Sequence, residues 1–171
     1  SATNPQRENM LDIPSKIAAV TPLDGSVVVV GSANADLTVR VAAMPQPGQT
    51  IHGGPLTTLP GGKSANQAAA AALVGAPTAF VGAVGMDDNG DFLAASLDAC
   101  GVDTGNLHRV KVATSCAIIT VDARAENMIV VTEGANNQVD GEILDAARDA
   151  LTSAKAVGLA LEIPIETVIA A

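Results

Sequence analysis

Residues 27–36 read Val-Val-Val-Val-Gly-Ser-Ala-Asn-Ala-Asp, and this stretch decides the fold. Four consecutive β-branched residues without polar alternation are the pattern of a strand buried on both faces of a parallel sheet. Such a strand belongs near the middle of its sheet. In open parallel sheets, ligands gather beyond the carboxyl ends of the strands, which is where Asn34 and Asp36 fall. An amide donates and accepts hydrogen bonds whereas a carboxylate only accepts, so the pair suits neighbouring hydroxyls of a sugar-like ligand. Asn and Asp also shape turns, and at this point both roles stand open.

Outward from this strand the chain alternates. Leu37 to Val41 and Ile51 to Leu59 read as short strands separated by Met44-Pro45-Gln46-Pro47-Gly48, whose prolines and glycine force a turn. Ser64 to Val74 is the strongest helix-forming stretch, closed by Gly75. A strand over Thr78 to Val84 follows, then a helix over Asp88 to Cys100 with Phe92, Leu93 and Leu97 on one face and Gly101 at its stop. Ala117 to Val121 and Met128 to Val131 predict a strand pair around a polar turn. A helix over Gly141 to Ser153, a strand over Ala156 to Leu161 and an apolar helical start over Ile165 to Ala171 complete the pattern. The fold class is therefore α/β, a mostly parallel sheet flanked by helices with a small β-rich appendage. Residues 1–25 mix Asn, Pro, Gln, Arg and Glu and read as a flexible extension.

Composition narrows the function. Of 171 residues 48% are apolar, enough for a substantial core, and no run of 18 apolar residues or basic-then-apolar leader argues for a membrane or a secretory route. A cytoplasmic location is the expectation. A net charge of −9 with nine scattered basic residues argues against nucleic acid, whose phosphates need clustered Lys and Arg. Two Phe, no Trp and no Tyr leave almost nothing on which a nucleobase could stack. Cys100 and Cys116 lack partners at ligand spacing and read as small buried residues, and His52 and His108 read as surface or lobe residues rather than metal ligands. Glu142, Asp145, Arg148 and Asp149 read as a solvated helix face.

Gly62-Lys63-Ser64 before a helix invites a phosphate-loop reading, but Thr57 stands where that motif's first glycine belongs, and Leu59-Pro60 makes a poor central strand. A dinucleotide fingerprint after Gly31 fails because Ala33 and Asp36 occupy its other glycine positions. What remains is Gly31-Ser32-Ala33-Asn34-Ala35-Asp36 together with Gly61-Gly62-Lys63-Ser64-Ala65-Asn66-Gln67-Ala68. The two glycines let a ligand or another segment approach the backbone, and Lys63 and Asn66 stand at a helix start where a polar ligand is within reach.

In this order, Gly-Ser-x-Asn-x-Asp, Pro-x-Pro-Gly-x-Thr from Pro45, and Gly-Gly-Lys-x-Ala-Asn-Gln-Ala resemble the PfkB-type carbohydrate kinases, the last motif in the form of their ribokinase-like branch. Gly85-Met86-Asp87-Asp88-Asn89-Gly90 is similar to the family's Gly-x-Asp-x-x-Gly segment, Glu126-Asn127 through Gly134-Ala135-Asn136 to its lid strand and following turn, and Leu161-Glu162-Ile163-Pro164 to a strand end whose glutamate contacts sugar. The resemblance implies a Rossmann-like ribokinase fold, incomplete, with residues 26–171 as its N-terminal half and strands at about 37–59 and 117–131 forming a lid. It implies ATP-dependent phosphorylation of D-ribose at the 5-hydroxyl, giving D-ribose 5-phosphate, with Mg2+ and a monovalent cation (K+) in the intact enzyme and a homodimer paired through the lids. It places Asn34, Ala35, Asp36, Gly62, Lys63, Ser64, Ala65, Asn66 and Glu162 around the sugar. The Gly-Ala-Gly-Asp motif that carries the family's catalytic base and phosphate-stabilising turn is not in this sequence, so the chain alone is expected to be inactive and to carry no nucleotide or cation site. Another sugar or nucleoside kinase of the family is one alternative; a non-catalytic sugar-binding or interaction module is the other. Ser64 and Cys116 depart from the pattern, each standing where glycine is usual. A left-handed backbone at Ser64 would cost about 1 kcal/mol or more.

Overall fold

The computed structural model describes residues 26–171, and the extension expected over residues 1–25 lies outside the described residues. Strands β1 (Val27–Val30), β4 (Thr78–Gly85), β5 (Asp103–Val110) and β8 (Ala156–Leu159) form a parallel sheet in the order β5-β4-β1-β8. The Val run is interior, as its composition predicts. Val28 and Val30 point into one core with Val81, Ala83, Val139, Ile143 and Leu144, while Val29 points into a second with Phe80, Val84, Leu93 and Leu97. Alternation of side chains along one strand thus feeds two apolar layers.

Helices α1 (Lys63–Leu73) and α2 (Asp88–Ala99) cover the second face; α3 (Gly141–Ala146), a 3-10 turn (Gly134–Gln138) and α5 (Ile165–Ala170) lie against the first. The alanines of α1 permit close approach: Ala65 and Ala68 are buried against β1 and β4. Asp87 caps α2 by accepting from the Gly90 N–H at 2.8 Å, and it also accepts from the Thr114 N–H and hydroxyl. Burial alone would raise its carboxyl, but the hydrogen bonds from Thr114 and Gly90 and the Arg109 charge hold it below the usual value. One carboxylate therefore ties a helix start to the segment leading into the second sheet.

That second sheet is mixed, in the order β3-β2-β6-β7, from β2 (Asn34–Arg40), β3 (Thr57–Gly61), β6 (Cys116–Val121) and β7 (Asn127–Val131). Strand β2 runs antiparallel to β3 and parallel to β6, and β6 and β7 form a hairpin. Pro60 sits on β3, an edge strand, where a missing N–H is tolerated. The hairpin turn is held by Asp122, which accepts from the N–H groups of Arg124 and Glu126.

Several expectations need correcting. The strand expected from Ile51 begins only at Thr57, because Gly53-Gly54-Pro55 interrupts it and the Gly54 N–H is drawn to the Arg40 carbonyl at 2.8 Å. The helix expected over Gly141 to Ser153 is divided at Ala147, whose N–H is shared between the Ile143 and Leu144 carbonyls, so that α4 (Arg148–Ser153) restarts after a tightened turn. Strand β5 was not expected, since its sequence Asp-Thr-Gly-Asn-Leu-His-Arg-Val is too polar to advertise a strand. The two cysteines are half-buried rather than buried. Ser64 takes the helical backbone of α1, and Ala125 is the one non-glycine residue with positive φ among the described residues, so no left-handed strain attaches to Ser64. Its side chain is fully buried over Gly31.

Candidate functional site

A three-residue connection, Gly31 to Ala33, carries the chain from β1 directly into β2, so Asn34 and Asp36 are strand residues and not the turn formers their types also allowed. Two positions apart on one strand, they share a face of the second sheet. Gly61 lies opposite Asn34 on β3, and a Cβ there would stand 2.3 Å from the Asp36 carboxylate. Its neighbour Gly62 has φ of 92°, and a Cβ would come within 2.7 Å of the Ser32 carbonyl oxygen. One glycine leaves room for the acidic side chain; the other lets α1 begin directly against the end of β1.

The N-terminus of α1 receives no cap from its own segment, since Gly62 has no side chain and the first turn holds no acid. Glu162, beyond the end of β8, supplies it from across the sheet. Its carboxylate accepts from the Lys63 N–H at 3.2 Å, the Lys63 ammonium at 2.5 Å and the Ser32 hydroxyl at 2.5 Å. An anion at this place also meets the positive end of the helix dipole. Burial would raise Glu162, but the hydrogen bonds from Lys63 and Ser32 and the Lys63 charge outweigh it and hold the carboxyl below its ordinary value. Asp36 goes the other way: burial, and then the nearby charge of Glu162, hold it above the usual carboxylate value.

A cleft of about 380 Å³ opens between the end of β8 and the turn that follows β7, lined by Asn34, Thr132, Glu133, Asn136 and Asn137 together with Leu161 to Pro164. Asn34 is nearly buried at its edge and accepts from the Asn136 side-chain amide at 2.7 Å. The structure thus brings Asn34, Asp36, Lys63 and Glu162 to one end of the parallel sheet. It does not bring every expected residue there by its side chain. Ala35 and Ala65 face inward, Ser64 is enclosed, and Asn66 is exposed on α1 beside a separate small hollow against α2. Ser32 and Asn136 went unrecognised as site residues, although both sit in short Gly-x or Gly-x-x segments of the kind that precede close backbone packing. Among the described residues no group of three or more His, Cys, Asp or Glu side chains is placed to hold a metal ion.

The match to a family model covers residues 24–168, and the model is that of the pfkB family carbohydrate kinases. The chain belongs to this family. Its motifs at Gly31, Gly61 and Glu162 now have a common location in the fold. Ribokinase of Schizosaccharomyces pombe is 37% identical over 150 residues, which are 84% of this chain and 47% of that protein. A ribokinase of Thermotoga maritima has a TM-score of 0.79 at 34% identity, over 85% of this chain and 48% of its own. A ribokinase of Arabidopsis thaliana, solved with ribose and ATP, has a TM-score of 0.72 at 36% identity over 85% of this chain and 49% of its own. The chain therefore spans about half the length of the pfkB family relatives it matches.

The Glu162 network predicts a pH-dependent contribution to stability. Glu162→Gln keeps the shape but removes the charge that caps α1 and pairs with Lys63. Because the Lys63 side chain is largely exposed and its ion pair screened, the expected loss at pH 7 is about 0.5–2 kcal/mol, mostly from the cap. A carboxyl lowered in the folded state contributes fully above its unfolded value and loses that contribution as pH falls through the folded one. Urea unfolding of the two proteins should therefore differ at pH 7 and converge only in acid, as pH falls past the ordinary carboxyl value and through the lowered folded one; equal midpoints at pH 7 would show that Glu162 caps nothing.

Proposed function

We propose that this chain is the sugar-binding half of an ATP-dependent ribokinase that phosphorylates D-ribose at the 5-hydroxyl. The observation that carries the reading is the gathering of Asn34, Asp36 and Glu162 at the carboxyl end of β1 and β8, in a chain whose similar relatives are ribokinases. A polyol needs directed donors and acceptors more than apolar area, and an amide beside two carboxylates offers both. Asn34, Asp36, Gly62, Lys63 and Glu162 are proposed to surround the sugar, Lys63 doing so as the partner of Glu162, while Asn66, exposed beside the separate hollow against α2, is left out of the proposed site. Ala35, Ser64 and Ala65 shape the wall from behind.

In this reading ATP is the phosphoryl donor, with Mg2+ and K+ as the ions of the whole enzyme, and none of the three is assigned a ligand among the described residues. The catalytic base likewise is not assigned to this chain. Coupled measurement of ADP release is expected to show no ribose-dependent turnover by the 171-residue chain alone; turnover would place the base within it.

Asp36 is the sugar's main anchor in this proposal. Hydrogen bonds to a charged group contribute about 1.5–3 kcal/mol, so Asp36→Ala in the full-length enzyme should weaken ribose binding by about 10- to 150-fold and leave ATP binding nearly unchanged. Calorimetric titration of both ligands checks this, and unchanged ribose affinity in a folded variant would remove Asp36 from the site.

The second sheet is proposed as a lid that pairs with its counterpart in a second copy of the chain. Ile118 on β6 and Met128 and Val130 on β7 share the face of the sheet opposite Asp36 and are all about half exposed or more, and an apolar sheet face of this kind is what a two-fold partner covers. Sedimentation velocity of the full-length protein at micromolar concentration should show a dimer, and a monomer alone would end the pairing idea.

A further inference from the structure

Asparagine is ambiguous as a recognition group, because one end of its amide donates and the other accepts, and the two ends have the same shape. At Asn34 the surroundings remove the ambiguity. The Ala33 N–H, which can only donate, lies 3.0 Å from the Asn136 side chain and must meet its oxygen. The opposite end of the Asn136 amide is then the NH2 group, and it lies 2.7 Å from Asn34. That end donates, so Asn34 meets it with Oδ1. The Asn34 NH2 is left on the side of the cleft, with no hydrogen-bond partner among the described residues.

Asn136 is itself held in place. Its N–H donates to the Ser115 hydroxyl at 3.1 Å, and that hydroxyl donates in turn to the Glu133 carbonyl. The residue is buried, and the 3-10 turn that carries it lies so close to residues 113–115 that a Cβ at Gly134 would stand 2.7 Å from the Ala113 carbonyl oxygen. Backbone polarity at two fixed points thus sets the direction of every hydrogen bond between them.

We propose that Asn136 is a positioning residue that locks Asn34 with its donor end toward the cleft, so that position 34 reads its ligand as a hydrogen-bond acceptor only. With the acceptor oxygens of Asp36 two residues along the same strand, the face of β2 presents a donor-then-acceptor pattern. This deepens the sugar-binding proposal and rests on it for the identity of the ligand, but the amide orientation stands independently of what binds.

Side-chain amide exchange by NMR on the full-length protein, without ligand, tests the orientation directly. The Asn136 NH2 should exchange slowly and the Asn34 NH2 rapidly; the reverse order overturns the proposal. Added ribose should then slow the Asn34 NH2. The expected exchange order without any response to ribose would retain the positioning role and count against the substrate reading. In a double-mutant cycle, Asn136→Ala should weaken ribose binding and raise its KM by about 3- to 10-fold with KM for ATP unchanged, and should add nothing in an Asn34→Ala background. Additive losses would mean that Asn136 serves the fold and not Asn34. Asn136→Asp keeps an acceptor for the Ala33 N–H, so it is the variant of choice if alanine does not fold. Its second oxygen should turn the Asn34 amide around and make the Asn34 NH2 slow to exchange; continued rapid exchange in that variant would overturn the relay.

Discussion

The carboxylate of Glu162 joins three pieces of chain at the mouth of the cleft: the end of β8, the Gly31–Ala33 connection through Ser32, and the start of α1 through Lys63. Without it, a helix preceded by two glycines would leave its first N–H, that of Lys63, uncapped at the point where the cleft opens. The energetic return is modest, since the pair is partly wet. Its main effect is geometric: a single anion ties the segment beyond β8 to the helix start and to the connection after β1. Burial, and then this same anion, raises the neighbouring Asp36, while Glu162 is itself lowered. Two carboxyls a short distance apart are thereby given different proton affinities by different partners.

Much of this was legible in the residues. Four valines in a row demanded a strand with two dry faces, and the structure divides them between two cores. Glycine at 61 and 62 announced close approach, though not to what: one yields to the Asp36 side chain and the other to the backbone at Ser32 and Ala33. Asn34 and Asp36 could be placed beyond the first strand but not on the second sheet, because their types fit a turn equally well and only pairing with Gly61 and Leu59 makes them strand residues.

What stayed hidden was hidden for physical reasons. Strand β5 is an edge strand whose polar residues face water on one side, so its pairing with β4 depends on the neighbour and not on its own pattern. The break at Ala147 leaves no mark in a run of good helix formers. Asn136 and Ser32 act through hydrogen bonds between segments 103 and 130 positions apart in sequence. No local pattern encodes such contacts. Ser64 was the opposite case, an apparent anomaly in the motif that the fold absorbs by keeping the residue helical and using Gly31 to make room for it.

Because β2 begins at Asn34, the residues that face the cleft are also the first rungs of the second sheet. Seven extended residues, from Asn34 to Arg40, make an arm on the order of 20 Å long, anchored at one end by the Asn136 and Gly61 contacts and carried at the other within the outer sheet by its pairing with β6. Such an arm acts as a lever with its fulcrum at the binding groups. A few degrees of rotation there would sweep the far tip through about an ångström or more, and a force on the tip would be felt first as a change in where Asn34 and Asp36 point. Recognition of a ligand and the attitude of the outer sheet are therefore two readings of one mechanical coordinate.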